Sequence, residues 1–107
     1  MRLKLNNRAR VRRVAYAATV TQAPGSGDVT LLMTLTGALT FNIVDPFCQD
    51  GDRLELVAAA GAAERVVTIG GANSVAATFT IPANGGAAIK FVCNAGKYYP
   101  SFSPDVA

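Results

Sequence analysis

Short stretches in which apolar and polar residues alternate recur along the middle of the chain. The clearest is Leu39-Thr-Phe-Asn-Ile43, and the same two-residue period returns at Leu54–Leu56, Val67–Ile69, Phe79–Ile81 and Ile89–Phe91. Strict alternation is typical of a β-strand with one face in a core and the other in water. Clusters of Gly, Asp and Asn separate these stretches, as turns between short strands do. The pattern therefore predicts an all-β domain.

Three further strands are predicted outside that region, at Val14–Gln22, Val29–Leu35 and Lys97–Phe102. Val29–Leu35 is apolar at nearly every position, which predicts burial on both faces. It is joined to Leu39–Ile43 by a tight connection, which predicts a hairpin. Pro100 predicts an edge position for the last strand, because proline cannot donate to a neighbouring strand. We expect a single antiparallel β-sandwich, jelly-roll-like or barrel domain of about eight short strands.

The 107 residues suffice for one domain, and their charge divides them into an arm and a body. Residues 1–13 hold six of the ten basic residues, although the net charge is only +3, so residues 14–107 are net acidic. We expect residues 1–13 to form an extended basic arm. The candidate docking residues on it are Arg2, Leu3, Lys4, Leu5, Arg8, Arg10, Arg12 and Arg13.

Three uses of this arm remain open. It can dock along an acidic protein surface, with Leu3 and Leu5 as apolar anchors, and become ordered on binding. It can neutralise the phosphates of a nucleic acid, or remain a solvated tail. Nucleic acid is the less favoured partner, because no aromatic residue for base stacking is interleaved with the arginines.

The residue type that enzymes most often use for proton transfer is missing. The chain has no histidine, which excludes Ser-His and Cys-His arrangements and the commonest general base. The glycine pairs do not match a phosphate-binding motif. We therefore expect no enzyme, no catalytic residues and no cofactor. There is also no apolar run long enough for a transmembrane helix and no secretory signal, so we expect no membrane partner.

Acids and cysteines do not predict a metal site either. Asp45, Asp50 and Asp52 lack the spacing of a calcium loop, and Asp50-Gly-Asp52 is a strong turn sequence. Cys48 and Cys93 are too few and too far apart in sequence for zinc. Cys93 continues the alternation of Ile89 and Phe91, which predicts a small core residue. A disulfide between the two would need an oxidising compartment.

The segment from Leu39 to Tyr99 resembles small β-sandwich domains of tailed-phage virions. These domains occur in capsid decoration (cement) proteins, head fibres and some tail-fibre modules. The resemblance lies in the order of motifs, namely Leu39-Thr-Phe-Asn-Ile43, Asp50-Gly-Asp-Arg-Leu-Glu-Leu56, Arg65-Val-Val-Thr-Ile-Gly70, Ile81-Pro-Ala-Asn84 and Ile89-Lys-Phe-Val92. This chain departs from the pattern by Tyr98-Tyr99 in place of a Trp-Tyr pair and by its arginine-rich arm.

The resemblance implies a structural protein of the virion. It would be made in the host cytoplasm, bind the major capsid protein on the outer surface of the head, and form a homo-oligomer, with a trimer favoured. The low content of charged residues, 16%, is consistent with surface buried against other chains, although an alanine-biased genome would give the same composition. The alternatives are a fibre module that binds a cell-surface glycan and a coat protein whose arm binds nucleic acid. A glycan site would use Tyr98, Tyr99 and Phe102 as an exposed aromatic contact. The alternative is that at least one of these three residues belongs to the core.

Overall fold

The structure, a computed structural model, describes residues 10–24 and 28–105. They form nine β-strands and no helix, which confirms the all-β class. The strands are β1 (Arg10–Arg13), β2 (Thr19–Gln22), β3 (Asp28–Thr34), β4 (Leu39–Ile43), β5 (Arg53–Ala59), β6 (Arg65–Gly70), β7 (Ala77–Ile81), β8 (Gly86–Asn94) and β9 (Lys97–Asp105). Of the predicted arm, residues 1–9 lie outside this description, and Arg10–Arg13 form β1.

The strands form two sheets, neither of which closes into a barrel. The first sheet has five strands in the order β1-β3-β5-β8-β9, and the second has four in the order β2-β4-β6-β7. From β1 to β6 each successive strand lies in the other sheet. As a result β1, β2, β3 and β4 each pair in parallel with the strand two places further along the chain. The remaining pairs, β5–β8, β6–β7 and β8–β9, are antiparallel.

This winding, in which strands β1 to β6 alternate between the two sheets, makes two predictions wrong. They are the purely antiparallel sheet and the hairpin of β3 with β4. β3 and β4 do not pair, because residues 35–38 carry the chain from the first sheet to the second. The N–H of Leu35 donates instead to the carbonyl oxygen of Ala59 on β5, at 2.8 Å. Of the predicted strand at Val14–Gln22 only Thr19–Gln22 is a strand, β2, and residues 14–18 cross from the first sheet to the second. Alternation assigns each residue to a face but does not specify which strand it pairs with.

The two sheets share one hydrophobic core. Strands β2 to β9 contribute inward-facing residues to it, as β4 does with Leu39, Phe41 and Ile43. The rings of Phe41, from the second sheet, and Phe91, from the first, lie 6.1 Å apart between centroids. Cys93 is buried in this core, as the sequence predicts.

In the first sheet β9 lies at an edge and β3 lies inside. β9 is an edge strand of the first sheet, which confirms the prediction from Pro100. β3 lies inside the same sheet, but its burial alternates rather than covering both faces. Val29, Leu31 and Met33 are buried, whereas Leu32 on the other face is only half-buried. The outer face of the first sheet is therefore open to solvent at this point.

The links between the sheets stack on one another and continue the hydrogen bonding of the strands. At one end of the sheets, the N–H of Thr40 donates to the carbonyl oxygen of Ala18 at 2.8 Å. At the other end, the N–H of Val44 donates to Gln22 at 2.9 Å. Gly71, with φ +101°, lies so close to Ile43 that a Cβ atom there would come within 3.0 Å of its backbone. The stacking requires glycine at that position.

We expect Gly71→Ala to reduce the free energy of unfolding more than Gly96→Ala does. Both glycines have positive φ, but a Cβ on Gly96 would meet no atom within 4 Å. Gly96→Ala should cost about 1–2 kcal/mol from backbone strain alone. Gly71→Ala should cost roughly 1–3 kcal/mol more, because the backbone of Ile43 must move. Urea unfolding of both variants measures the difference, and equal losses would contradict the close stacking.

Candidate functional site

Strand β1 is a basic strand at the edge of the first sheet. Its four residues, Arg10–Arg13, are all exposed. They pair in parallel with β3, so that Arg13 lies beside Leu32, and no described strand pairs with the opposite edge of β1. The Arg10 guanidinium donates to the carbonyl oxygen of Pro24 at 3.3 Å. The last part of the predicted arm is thus held against the body and presents one edge to solvent.

The outer face of the first sheet borders this strand. It carries most of the large apolar side chains that are exposed among the described residues. The pairing register aligns Arg13, Leu32, Val57, Ala88 and Ser103 in one row across all five strands. These five residues contribute to the lining of a shallow depression of about 350 Å³. The large apolar side chains exposed on the same face are Val11 (59%), Val57 (36%), Val92 (44%) and Tyr99 (48%).

The outer face of the second sheet has a different chemistry. Its register aligns Thr19, Thr40, Thr68 and Thr78 in one row across all four strands. Threonine is a favoured residue on solvated strands, because its branched side chain packs on the pleated surface while its hydroxyl stays in water. This row is therefore uncharged and polar, whereas the first sheet offers apolar residues beside a basic edge.

The predicted aromatic contact is not one surface. Tyr98 is fully buried, so the prediction that it is exposed is wrong. Residues alternate along β9, which turns Tyr98 and Phe102 towards the core and Tyr99 outwards. Phe102 is half-buried and stacks on Phe79 of β7, with ring centroids 4.7 Å apart. Among the described aromatic residues the most exposed is Phe47, at 86%, in the link between β4 and β5.

Buried Tyr98 holds that link in place. Its hydroxyl donates to Oδ2 of Asp45 at 3.1 Å, and Asp45 is only 6% exposed. The backbone N–H of Asp45 in turn donates to Oδ1 of Asn73 at 2.8 Å, and the Asn73 side chain donates to Gly96 at 3.2 Å. Burial and the neighbouring Asp45 carboxylate raise the pKa of Tyr98. This role of Asp45 was not predicted, although Asp45 continues the inward phase of Phe41 and Ile43.

Asp50 and Asp52, by contrast, are turn residues as the sequence predicts. Oδ1 of Asp50 accepts a hydrogen bond from the N–H of Ala95, and Oδ2 of Asp52 accepts one from the N–H of Gln49. Among the residues that the structure describes, no group of three or more acidic or cysteine side chains is arranged to hold a metal ion. The described residues also include no helix that could span a membrane.

The same link brings the two cysteines together. The Cys93 thiol donates to the sulfur of Cys48, with 2.9 Å between the two Sγ atoms. Cys93 is buried, and Cys48 is half-buried. Burial and the nearby carboxylates of Asp45 and Asp52 raise the pKa of Cys48 to about 12. The Cys48 thiol is therefore protonated at neutral pH. Their 45-residue separation in sequence gave no sign of this proximity.

The comparisons with known proteins give no family assignment. The chain matches no protein-family model, and searches of curated proteins and of solved structures find no match.

We expect Tyr98→Phe to destabilise the fold and Tyr99→Phe to leave it nearly unchanged. Phenylalanine at position 98 fills the same volume but leaves Oδ2 of Asp45 without the hydrogen bond from Tyr98. An acceptor buried without this partner should cost about 1–3 kcal/mol. Tyr99 is exposed, so its change should stay within about 0.5 kcal/mol. Urea unfolding at pH 7 compares them, and equal effects would refute the anchoring role.

We also expect stability to fall at alkaline pH, partly through Cys48. The thiol pKa is about 12 in the folded protein against an ordinary value of 9.0. Above about pH 9 the unfolded chain therefore loses the Cys48 proton while the folded chain keeps it, which favours unfolding. The raised pKa of Tyr98 acts in the same direction above its ordinary value of 10.0. In unfolding titrations between about pH 7 and 11, Cys48→Ser should flatten the decline. An unchanged decline would contradict the shift.

Proposed function

We propose that this chain is a non-catalytic protein that decorates the outer surface of a tailed-phage head and stabilises the shell. We take its architecture to be a β-sandwich, because two sheets face one core. The order of motifs between Leu39 and Tyr99 supports the virion class through its resemblance to such domains. Its partner would be the major capsid protein, and it would be made in the host cytoplasm.

The observation that carries this proposal is the basic edge strand β1. Arg12 and Arg13 are exposed on a strand with one unpaired edge. An unpaired strand edge can accept a strand from a partner through backbone hydrogen bonds. Exposed arginines on the same strand favour an acidic partner surface, because complementary charge speeds association and fixes the register. Such an edge suits docking onto a protein shell without a deep cavity.

The outer face of the first sheet supports self-association beside that edge. Val57, Val92 and Tyr99 are exposed on it, and Leu32 is half-buried between them and β1. Apolar side chains grouped on one face favour burial against another chain. A homo-oligomer, with a trimer favoured, would present several copies of β1 to the shell. Several weak contacts then become tight, because each bound copy tethers its neighbours.

A coat protein that binds nucleic acid is the second candidate. The run Arg12-Arg13 on an exposed strand favours it, because exposed arginines can neutralise phosphates. A glycan-binding fibre module has less support, since Tyr98 is buried and Phe102 is stacked on Phe79. Only Tyr99 of the three aromatic residues considered is well exposed.

We expect Arg12→Glu to weaken binding to the shell, with Lys97→Glu as its matched control. Both changes reverse one exposed charge, but Lys97 lies at the turn between β8 and β9, at the opposite edge of the sheet from β1. Arg12→Glu should lower the affinity for shells assembled from the major capsid protein by about tenfold or more, and Lys97→Glu by less than about threefold. Co-sedimentation with these shells measures both.

The same pair of variants separates the candidates. Thermal unfolding of each variant checks that the fold is intact. Equal shell binding by wild type and Arg12→Glu would refute docking through the arginines of β1. Absence of shell binding by the wild type, together with DNA binding that falls steeply with salt, would favour the nucleic-acid coat protein.

A further inference from the structure

The backbone holds Cys48 and Cys93 in fixed positions on opposite sides of a short gap. Cys93 lies on β8, where its N–H donates to the carbonyl oxygen of Asp52 and its own carbonyl accepts from Gly51, at 2.8 and 2.9 Å. Cys48 is held in a turn, with its N–H donating to Asp45 at 3.1 Å. The two sulfur atoms are 2.9 Å apart, so a movement of less than about 1 Å would bring them to the length of a disulfide bond.

We propose that Cys48 and Cys93 are a disulfide-forming pair, and that their bond fastens the link between β4 and β5 to the inner side of β8. This inference is independent of the proposed virion role. The link is residues 44–52, and it carries the chain from the second sheet to the first. A bond to Cys93 attaches it to a third strand that backbone hydrogen bonds already hold beside it. The bond therefore joins elements that are packed together in the reduced protein.

The oxidant is a small disulfide such as oxidised glutathione. The thiolate of Cys48 attacks one sulfur of the oxidant, which forms a mixed disulfide and releases one small thiol. The Cys93 thiolate then attacks the Cys48 sulfur and releases the second small thiol. Two protein thiols are oxidised to one disulfide, and one small disulfide is reduced to two thiols. Half-buried Cys48 is the sulfur that an oxidant reaches first, and buried Cys93 resolves the intermediate.

The surroundings make this reaction slow at neutral pH. The charged and titratable groups near Cys48 are Asp45 and Asp52 on its own link, Cys93 on β8 and Tyr98 on β9. The two carboxylates disfavour the thiolate, and the thiolate is the attacking species. Formation should therefore accelerate as the pH rises, and it should stop when Cys48 is replaced by serine.

The bond would stabilise the folded protein because it lowers the conformational entropy of the unfolded chain. It closes a loop of about 45 residues that contains β5, β6 and β7 and hence strands of both sheets. A loop of this length restricts the unfolded chain substantially. We therefore expect the oxidised protein to melt roughly 10 °C or more above the reduced protein.

Peptide mapping of the full chain tests the pairing. Cleavage after Arg13 and Arg53 gives a peptide with Cys48, and cleavage after Lys90 and Lys97 gives a separate peptide with Cys93. The folded protein is incubated with oxidised glutathione at about pH 8.5, where the thiolate fraction is small but larger than at neutral pH. Mapping without reductant should then find peptides 14–53 and 91–97 joined within a monomer, at a mass lower by about 2 Da.

A matched variant keeps the outcome decisive. Cys48→Ser should give no joined peptides, and its melting temperature should be the same with and without oxidant. Wild-type protein whose two peptides stay separate, with free thiols or with glutathione on each, would overturn the proposal. A joined pair found only in dimers would overturn it as well, because the geometry specifies a bond within one chain.

Discussion

The structure depends on backbone hydrogen bonding between links that cross from one sheet to the other. From β1 to β6 every connection leaves its own sheet, so the next link along must satisfy its N–H and carbonyl groups. Leu35 donates to Ala59 and Ala60 to Gly85 at one end, and Asn73 donates to Ile43 at the other. Each link thus supplies hydrogen-bond partners to the backbone of the next. Removing one link would leave N–H and carbonyl groups of its neighbour without partners.

This winding also determines which surfaces remain open. Each open sheet has two edge strands, and β1 is one edge strand of the five-stranded sheet. Its outward edge has no partner in the described part of the chain, and the sequence gives that strand three arginines. A neutral or apolar edge strand would invite unspecific pairing, whereas charge on an edge restricts pairing to complementary partners. The arginines of β1 thus favour partners with acidic groups next to this edge.

Alternation along the sequence was sufficient to predict strands β4 to β8 and their inward residues, but neither β1 nor the pairing partners. Leu39, Phe41 and Ile43 are buried as their period requires, and Pro100 lies on an edge strand. The link at residues 35–38 is short enough for a hairpin, and only tertiary packing makes it a crossing between sheets. Tyr98 and Tyr99 point in opposite directions because they are adjacent in a strand, which the same alternation could have indicated.

The polar interior was harder to predict for a physical reason. Acidic residues near glycine favour turns. The sequence therefore gives no sign that Asp45 differs from the turn residues Asp50 and Asp52. Its burial becomes stable only because Tyr98, more than fifty positions later in the chain, supplies a hydrogen bond. The proximity of Cys48 and Cys93 likewise arises from the pairing of the end of the link with β8. Contacts of this kind depend on the topology, and no local pattern of residues encodes them.

Nuclear Overhauser contacts in isotopically labelled protein test most directly whether strands β1 to β6 alternate between the two sheets and pair in parallel. The winding predicts contacts between backbone protons of β4 and β6 in the register that pairs Phe41 with Ile69. It predicts none between β3 and β4, which lie in different sheets. Close Hα–Hα contacts between Val29–Leu35 and Leu39–Ile43 would show an antiparallel hairpin and contradict the account.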